Sequence, residues 1–185
     1  ESVMVSNGFI SAGALKSVLP FLKAVKIDLK SFSQSFYSDI CEGRLEPVLD
    51  TLKLLAGAGV WYEIVVLIIP GLNDGADELK RMGAWIVKEL GQNVPVHFSR
   101  FHPTYKMRNI APTPAETLLR ARQLAADEGI NFVYVGNMPG EAHQDTLCPQ
   151  CKTALIRRYQ YSILENKIVK GNCGKCGKAV PGVWE

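Results

Sequence analysis

No stretch of this sequence approaches the ~20 consecutive apolar residues that a membrane-spanning helix needs. The longest apolar run, Ile64 to Pro70, has the length and β-branched content of a strand. No leader is visible either, because Glu1-Ser-Val-Met-Val-Ser runs directly into a strand-like pattern. With no initiator Met, the chain reads as a fragment or processed form that starts inside a fold. These absences point to a cytoplasmic protein with no membrane role. The chain also lacks a G-x-G-x-x-G or Walker loop, which removes the common ways of cradling phosphates. Histidine is scarce: His97, His102 and His143 are the only three. No Ser/His/Asp order suggests a hydrolytic triad. Cysteine is used five times, and four of the five fall in two Cys-x-x-Cys pairs, which is metal usage in a reducing compartment more than disulfide usage.

What is present suits one good core and a small appendage. The chain has 185 residues, 47% hydrophobic and 21% charged. The net charge of +3 hides an asymmetry. Residues 146–185 hold seven Lys/Arg and two acids, net +5, whereas the remainder holds 14 basic and 16 acidic residues, net −2. Four thiolates on one Zn²⁺ would contribute −2 and leave about +3, a weak footprint for nucleic acid.

The stretch Ala24 to Lys30 organises the rest. Val25, Ile27 and Leu29 alternate with Lys26, Asp28 and Lys30, so a strand here has one apolar and one charged face. Strand patterns at Ser2–Ser6, 24–30, Val60–Ile69, Val94–Phe101 and Asn131–Val135 alternate with helical patterns at Ala12–Leu22, Glu46–Ala58, Asp77–Leu90 and Thr113–Glu128. Pro20 marks a kink or early stop in the first helix. Thr113 reads as the N-cap of the last, with Glu116 as its capping-box partner. Ser31–Leu45 and His102–Pro112 read as long connections. Five strands alternating with four helices give an α/β fold with a parallel sheet, either doubly wound or most of a partial barrel. Ligands in both bind at the carboxyl ends of the strands. Those ends carry Asn7-Gly8, Asp28–Lys30, Pro70–Asp74, His102 and Gly136-Asn137. The charged face of 24–30 then becomes a site rather than a wet surface.

From residue 145 the composition shifts, which divides the chain into a β/α body at 1–144 and a four-cysteine tail at 145–185. Cys148 and Cys151 are separated by 21 residues from Cys173 and Cys176. Two such knuckles complete a tetrahedron around one metal ion, and short alternating segments between them fill a hairpin. This is a zinc ribbon pattern; a rubredoxin-type iron centre is the rival metal. A closed site of four thiolates is structural and supports a tail too small for its own core.

Other candidates are single residues. His102 ends a strand and opens a loop, placed for a ligand; the plain alternative is a strand-end histidine. His97 lies on the opposite parity and reads as packing, and His143 as a solvated linker residue. Glu63, inside the best strand, needs cations or donors, with Lys26, Lys30 and Arg100 as candidates. Asn7-Gly8 reads as a turn that also permits close backbone approach. Pro70–Asp74 reads as a loop with an Asx helix cap. A barrel hydrolase holding a metal on Asp28, Glu63 and His102 has too few ligands at convincing spacing.

Taken in order, Ser6-Asn7-Gly8-Phe9, Lys26-Ile27-Asp28-Leu29-Lys30, Ile69-Pro70-Gly71-Leu72-Asn73-Asp74 and Arg100-Phe101-His102-Pro103 resemble the radical S-adenosylmethionine (SAM) activating enzymes, of which pyruvate formate-lyase activating enzyme is the best-known type. The four-cysteine tail ending Gly182-Val183-Trp184, with the stretch Gly43 to Leu49, looks closer still to the radical SAM member of the AmmeMemoRadiSam system. The resemblance covers essentially the whole chain. It implies a partial parallel (β/α) barrel lacking its N-terminal units, and oxidoreductase-class chemistry. In that chemistry a [4Fe–4S] cluster cleaves SAM to a 5′-deoxyadenosyl radical. By matching position, Asn7 and Gly8 lie beside SAM, Asp28 and Lys30 contact its ribose or methionine part, and His102 its ribose or adenine side. Glu63 stands where the activating enzymes carry an arginine, and Val5 where they carry an aspartate. No residue is assigned a catalytic role. The family's Cys-x-x-x-Cys-x-x-Cys loop does not occur here, and lone Cys41 does not replace three thiolates. The resemblance therefore implies the C-terminal portion of such an enzyme, inactive on its own. Its partners would be a protein substrate or Memo-like and AMMECR-type proteins, with self-association of the fragment through exposed sheet edges. The competing class is a non-catalytic β/α scaffold whose zinc ribbon binds protein or nucleic acid.

Overall fold

The computed structural model describes residues 2–138, 144–159 and 162–184. His143, read from sequence as a solvated linker residue, lies outside the described residues. Five strands, β1 (Val3–Ser6), β2 (Ala24–Asp28), β3 (Trp61–Ile68), β4 (Val96–Arg100) and β5 (Val133–Gly136), form one sheet in the order β1-β2-β3-β4-β5, with every neighbouring pair parallel. A doubly wound sheet reverses its strand order at a switch point. This order does not reverse, so of the two architectures open at the sequence level the partial barrel is the one observed.

The reason lies in the parity of the strands. Val25, Ile27, Leu29, Ile64, Val66, Ile68, Val96 and Phe98 are all essentially buried on one face. There they meet Val48, Leu52 and Leu55 of α3 (Glu46–Ala56), Leu79, Met82 and Ile86 of α4 (Ala76–Leu90), and Leu118, Ala121 and Ala125 of α5 (Ala115–Asp127). Each Val, Leu, Ile, Met or Phe among them contributes about 1.5–3 kcal/mol when fully buried. The opposite parity carries Lys26, Asp28, Glu63, His97 and Tyr134, all only half-buried. Helices cover one face and leave the other open; the open one is called the inner face below.

Local chemistry moves several boundaries. The first helix, α1 (Ala12–Val18), stops early, and Pro20 sits in a 3-10 turn at Leu19–Phe21. The stretch expected as a long connection after β2 contains a short helix, α2 (Gln34–Asp39), because the Ser33 side chain accepts from the Phe36 N–H. Thr113 does not cap α5. Pro114 takes the cap position without a side-chain bond. The Thr113 hydroxyl is buried, accepts from the Phe101 N–H at 3.0 Å and donates to the Ile68 carbonyl at 2.6 Å. It pins the ends of β3 and β4 together. No helix among the described residues is long and apolar enough to cross a membrane.

The tail pairs β6 (Thr146–Leu147), β7 (Ala154–Tyr159) and β8 (Ser162–Asn166) antiparallel, with a second hairpin of β9 (Ile168–Val169) and β10 (Asn172–Cys173). Its apolar cluster of Cys148, Leu155, Ile156, Cys173 and Val180 includes Phe132 and packs against Tyr134, both from the β5 end of the sheet. The tail is therefore seated on the sheet at that end.

Candidate functional site

At the carboxyl ends of β1 to β3 the chain encloses a cavity of about 470 Å³. Asn7, Phe9, Lys30, Phe36, Tyr37 and Cys41 contribute to its wall. Lys30 is the best-held of these. Its N–H donates to the Tyr37 hydroxyl at 3.1 Å, and its carbonyl accepts from Asn73 Nδ2 at 2.6 Å. Its ammonium reaches Asp28 Oδ2 at 3.3 Å, so the two charged residues expected to act together do meet. Burial pushes the Tyr37 phenol up to about 12, which keeps its hydroxyl neutral.

Asn73 and Tyr37 were not singled out as site residues from sequence. The expected role of Asn73 as a helix cap is not what forms: Gly75 takes that position without a side-chain bond. Asn73 is instead buried, accepting from the Ile69 N–H at 2.7 Å and donating to the carbonyls of Lys30 and Leu67. An Asx residue one turn before a helix gave a signal of local structure, and only packing turns it into a clamp between two strands.

Gly8 is buried at φ +74°. A Cβ there would lie 3.0 Å from both Ile27 Cγ2 and Val48 Cγ1. The missing side chain is used for packing between β2 and α3. Asn7 is exposed beside it, its carboxamide oxygen accepting from the Phe9 N–H at 3.0 Å. His102 is also exposed, at the β4 end, and does not line this cavity.

Glu63 belongs elsewhere. Its expected cations do not reach it; Arg100 points to the helix side, with Nε donating to the Thr113 carbonyl at 2.8 Å. Glu63 instead accepts from Trp61 Nε1 at 3.1 Å and pairs with His97 Nε2 at 2.8 Å. His97, read from sequence as packing, is thus a polar member of the inner face. The register aligns Val65 with His97, one pleat from Glu63, and only strand pairing reveals it. Its ring stacks on Tyr134 with centroids 4.9 Å apart. Burial raises the Glu63 carboxyl, but the hydrogen bond and charge of His97, with smaller help from Trp61 and Arg158, hold it below the ordinary carboxylate range. Glu63, His97 and Tyr134 line a second cavity of about 640 Å³ that shares no residue with the first.

The four tail cysteines converge. Sγ atoms of Cys148 and Cys176 are 3.6 Å apart, those of Cys151 and Cys173 are 3.7 Å apart, and all four lie within 4.8 Å of one another. A tetrahedral ion with metal–sulfur bonds of about 2.3 Å needs sulfur–sulfur edges of about 3.8 Å. The set fits one such ion. Thr153, through its hydroxyl and backbone, holds the Cys151 thiol down to about 6. Among the described residues this is the one group of three or more His, Cys, Asp or Glu that could hold a metal ion. Asp28, Glu63 and His102 do not. An iron–sulfur cluster needing three thiolates from one loop finds no such set here, since Cys41 is the only cysteine outside the four.

No family model matches the chain. An uncharacterized protein of Methanocaldococcus jannaschii is 42% identical over 181 residues, covering 97% of this chain and 54% of that protein. The benzylsuccinate synthase activating enzyme of Thauera aromatica is 22% identical over 142 residues, covering 70% of this chain and 43% of that enzyme. The chain thus spans about half the length of the curated relatives it matches. A domain of a pyruvate-formate lyase-activating enzyme from Bacteroides vulgatus superposes with a TM-score of 0.63 at 19% identity, covering 72% of this chain and 80% of that one. A radical SAM methyltransferase from Sphaerobacter thermophilus gives 0.60 at 16% identity, covering 74% and 40%. The parallel β/α sheet in a partial barrel is similar in fold to these two solved structures, and it carries a four-cysteine cluster toward its C-terminus.

Proposed function

We propose that this chain is the C-terminal part of a radical SAM enzyme of the glycyl-radical-activating type, related to the radical SAM member of the AmmeMemoRadiSam system. The observation that carries the reading is the open carboxyl edge of a sequentially ordered parallel sheet, where Lys30 is fixed through both backbone groups beside a cavity. The cavity has an apolar wall for a nucleoside and polar groups for a charged amino-acid moiety, the two halves of SAM. Asn7 and Lys30 bind it there. Asp28 holds the Lys30 ammonium in place, and the backbone at Gly8 supports the turn that presents Asn7. His102 lies at the β4 end of the same edge, outside the cavity wall. Glu63 lies in the second cavity and takes no part.

In enzymes of this type a bound cluster and SAM supply a 5′-deoxyadenosyl radical. The thiolates for the cluster are not among these 185 residues, so the stretch binds SAM without cleaving it. The tail cysteines hold zinc. Body and tail divide near residue 145, and the partner is a protein substrate or a Memo-like or AMMECR-type protein.

Titration calorimetry of SAM into the 185-residue chain, with Lys30→Met as comparison, tests the binding step. Expected is measurable binding that Lys30→Met weakens at least tenfold, and no 5′-deoxyadenosine after anaerobic reduction. Release of 5′-deoxyadenosine by this chain would overturn the inactive-fragment reading; no SAM binding would overturn the site. Retention on RNA or DNA that falls steeply with salt would favour a nucleic-acid scaffold instead.

A further inference from the structure

Arg158 is a half-buried guanidinium that projects from β7 over the Tyr134 ring, 5.9 Å from the centroid. Its NH1 donates to two neutral acceptors, Thr146 Oγ1 at 2.7 Å and the Gln144 carbonyl at 3.1 Å. Among the described residues no carboxylate comes within ion-pairing distance of it. Asp145 engages the backbone N–H of Arg158 and the side chain of Arg157 instead. Glu63 lies in the same cavity, but both its oxygens are taken, one by Trp61 and one by His97. Among the described residues Arg158 has no ion pair and feels Glu63 only as a longer-range charge, so the N–H groups it does not spend on Thr146 and Gln144 form a fork suited to a planar or tetrahedral oxyanion. Asn137 and Gln144 add neutral polar groups to the same wall.

The tail delivers this arginine. Thr146, which holds NH1, also meets the Tyr134 hydroxyl at 3.0 Å and stands two residues before Cys148. The β6–β7 pairing that carries both residues is anchored by the first cysteine knuckle, where the Cys148 N–H bonds the Thr153 carbonyl.

We propose that the cavity between the inner face and the tail is a binding site for an oxyanion, a carboxylate or a phosphate. Arg158 is the cation that meets it, and the metal in the four-cysteine cluster fixes Arg158 in position. The site is separate from the SAM cavity and stands or falls independently of it.

The test is an NMR titration of the zinc-loaded chain with inorganic phosphate and, separately, with succinate. It follows the Arg158 Nε–H and the His97 ring. Saturable shifts at both groups are expected with at least one probe, and the probe that acts identifies phosphate or carboxylate. Arg158→Met, which keeps the stem on Tyr134, loses the response, and Arg158→Lys retains it weakly. Chelating the metal abolishes the response while amide protection of β2 persists. No saturable shift with either probe, or equal shifts in Arg158→Met, overturns the site. Binding that survives metal removal overturns the role of the tail. If chelation unfolds the whole chain, Thr146→Val decides: it leaves the cysteines intact, and unchanged oxyanion affinity in that variant refutes the positioning of Arg158.

Discussion

Replacing Asn73 by Asp changes one atom group and tests whether the site edge is clamped as described. The acceptor bond from the Ile69 N–H survives. The two donor bonds, to the Lys30 carbonyl at 2.6 Å and the Leu67 carbonyl at 2.8 Å, become oxygen facing oxygen in a side chain only 1% exposed. Two lost bonds, each leaving a buried carbonyl less well satisfied, and a buried carboxylate together cost about 3–5 kcal/mol at neutral pH. A domain stable by about 5–15 kcal/mol remains folded in buffer but melts at much lower urea. The new carboxyl has a folded pKa raised above its unfolded value by burial beside carbonyls. Once protonated, it regains one donor. The deficit is therefore smaller at acid pH and grows as pH rises through the raised folded pKa. Urea unfolding followed by Trp85, which packs on Phe32 just after Lys30, reads this directly. A deficit below about 1 kcal/mol at neutral pH, the size of a single exposed hydrogen bond, or a deficit independent of pH, would refute the clamp.

Three further outcomes follow from the same geometry. Gly8→Ala combines a left-handed backbone with contacts of 3.0 Å to Ile27 and Val48, and destabilises by about 2–4 kcal/mol in denaturant melts. Glu63 has its carboxyl held below the ordinary range, so its contribution is present at neutral pH and lost as pH falls through the folded pKa; Glu63→Gln flattens that acid limb of the stability profile, and an unchanged limb contradicts the assignment. Elemental analysis of protein purified without added metal gives about one metal ion per chain, and Cys173→Ser lowers that content. The same variant loses amide protection in β7 and β10 while β2 keeps its own, as hydrogen exchange reports.

The alternation of strand and helix was legible because each pattern is local. Val25, Ile27 and Leu29 repeat at the period of a strand, and Leu52 and Leu55 at that of a helix, with no knowledge of partners required. The four-cysteine cluster was legible for a similar reason, since knuckle spacing is itself a local geometric constraint. Thr113, Asn73 and His97 were misread in one way: each was given a partner near in sequence or none. Their actual partners lie across the sheet, Thr113 on Ile68, Asn73 on Lys30 and His97 on Glu63.

By itself, then, the sequence determined which residues could be strands, which faces were apolar and which thiols come together in a set that could hold a metal, because hydrophobic period and ligand spacing act over a few residues. Tertiary structure decided which polar side chains meet. Strand order and register set that outcome, and a shift of one residue would send Glu63 and His97 to opposite faces. The parallel pairing of β2, β3, β4 and β5 brings Lys26, Glu63, His97 and Tyr134 onto one face, and the tail, folded back on that face, sets Arg158 among them.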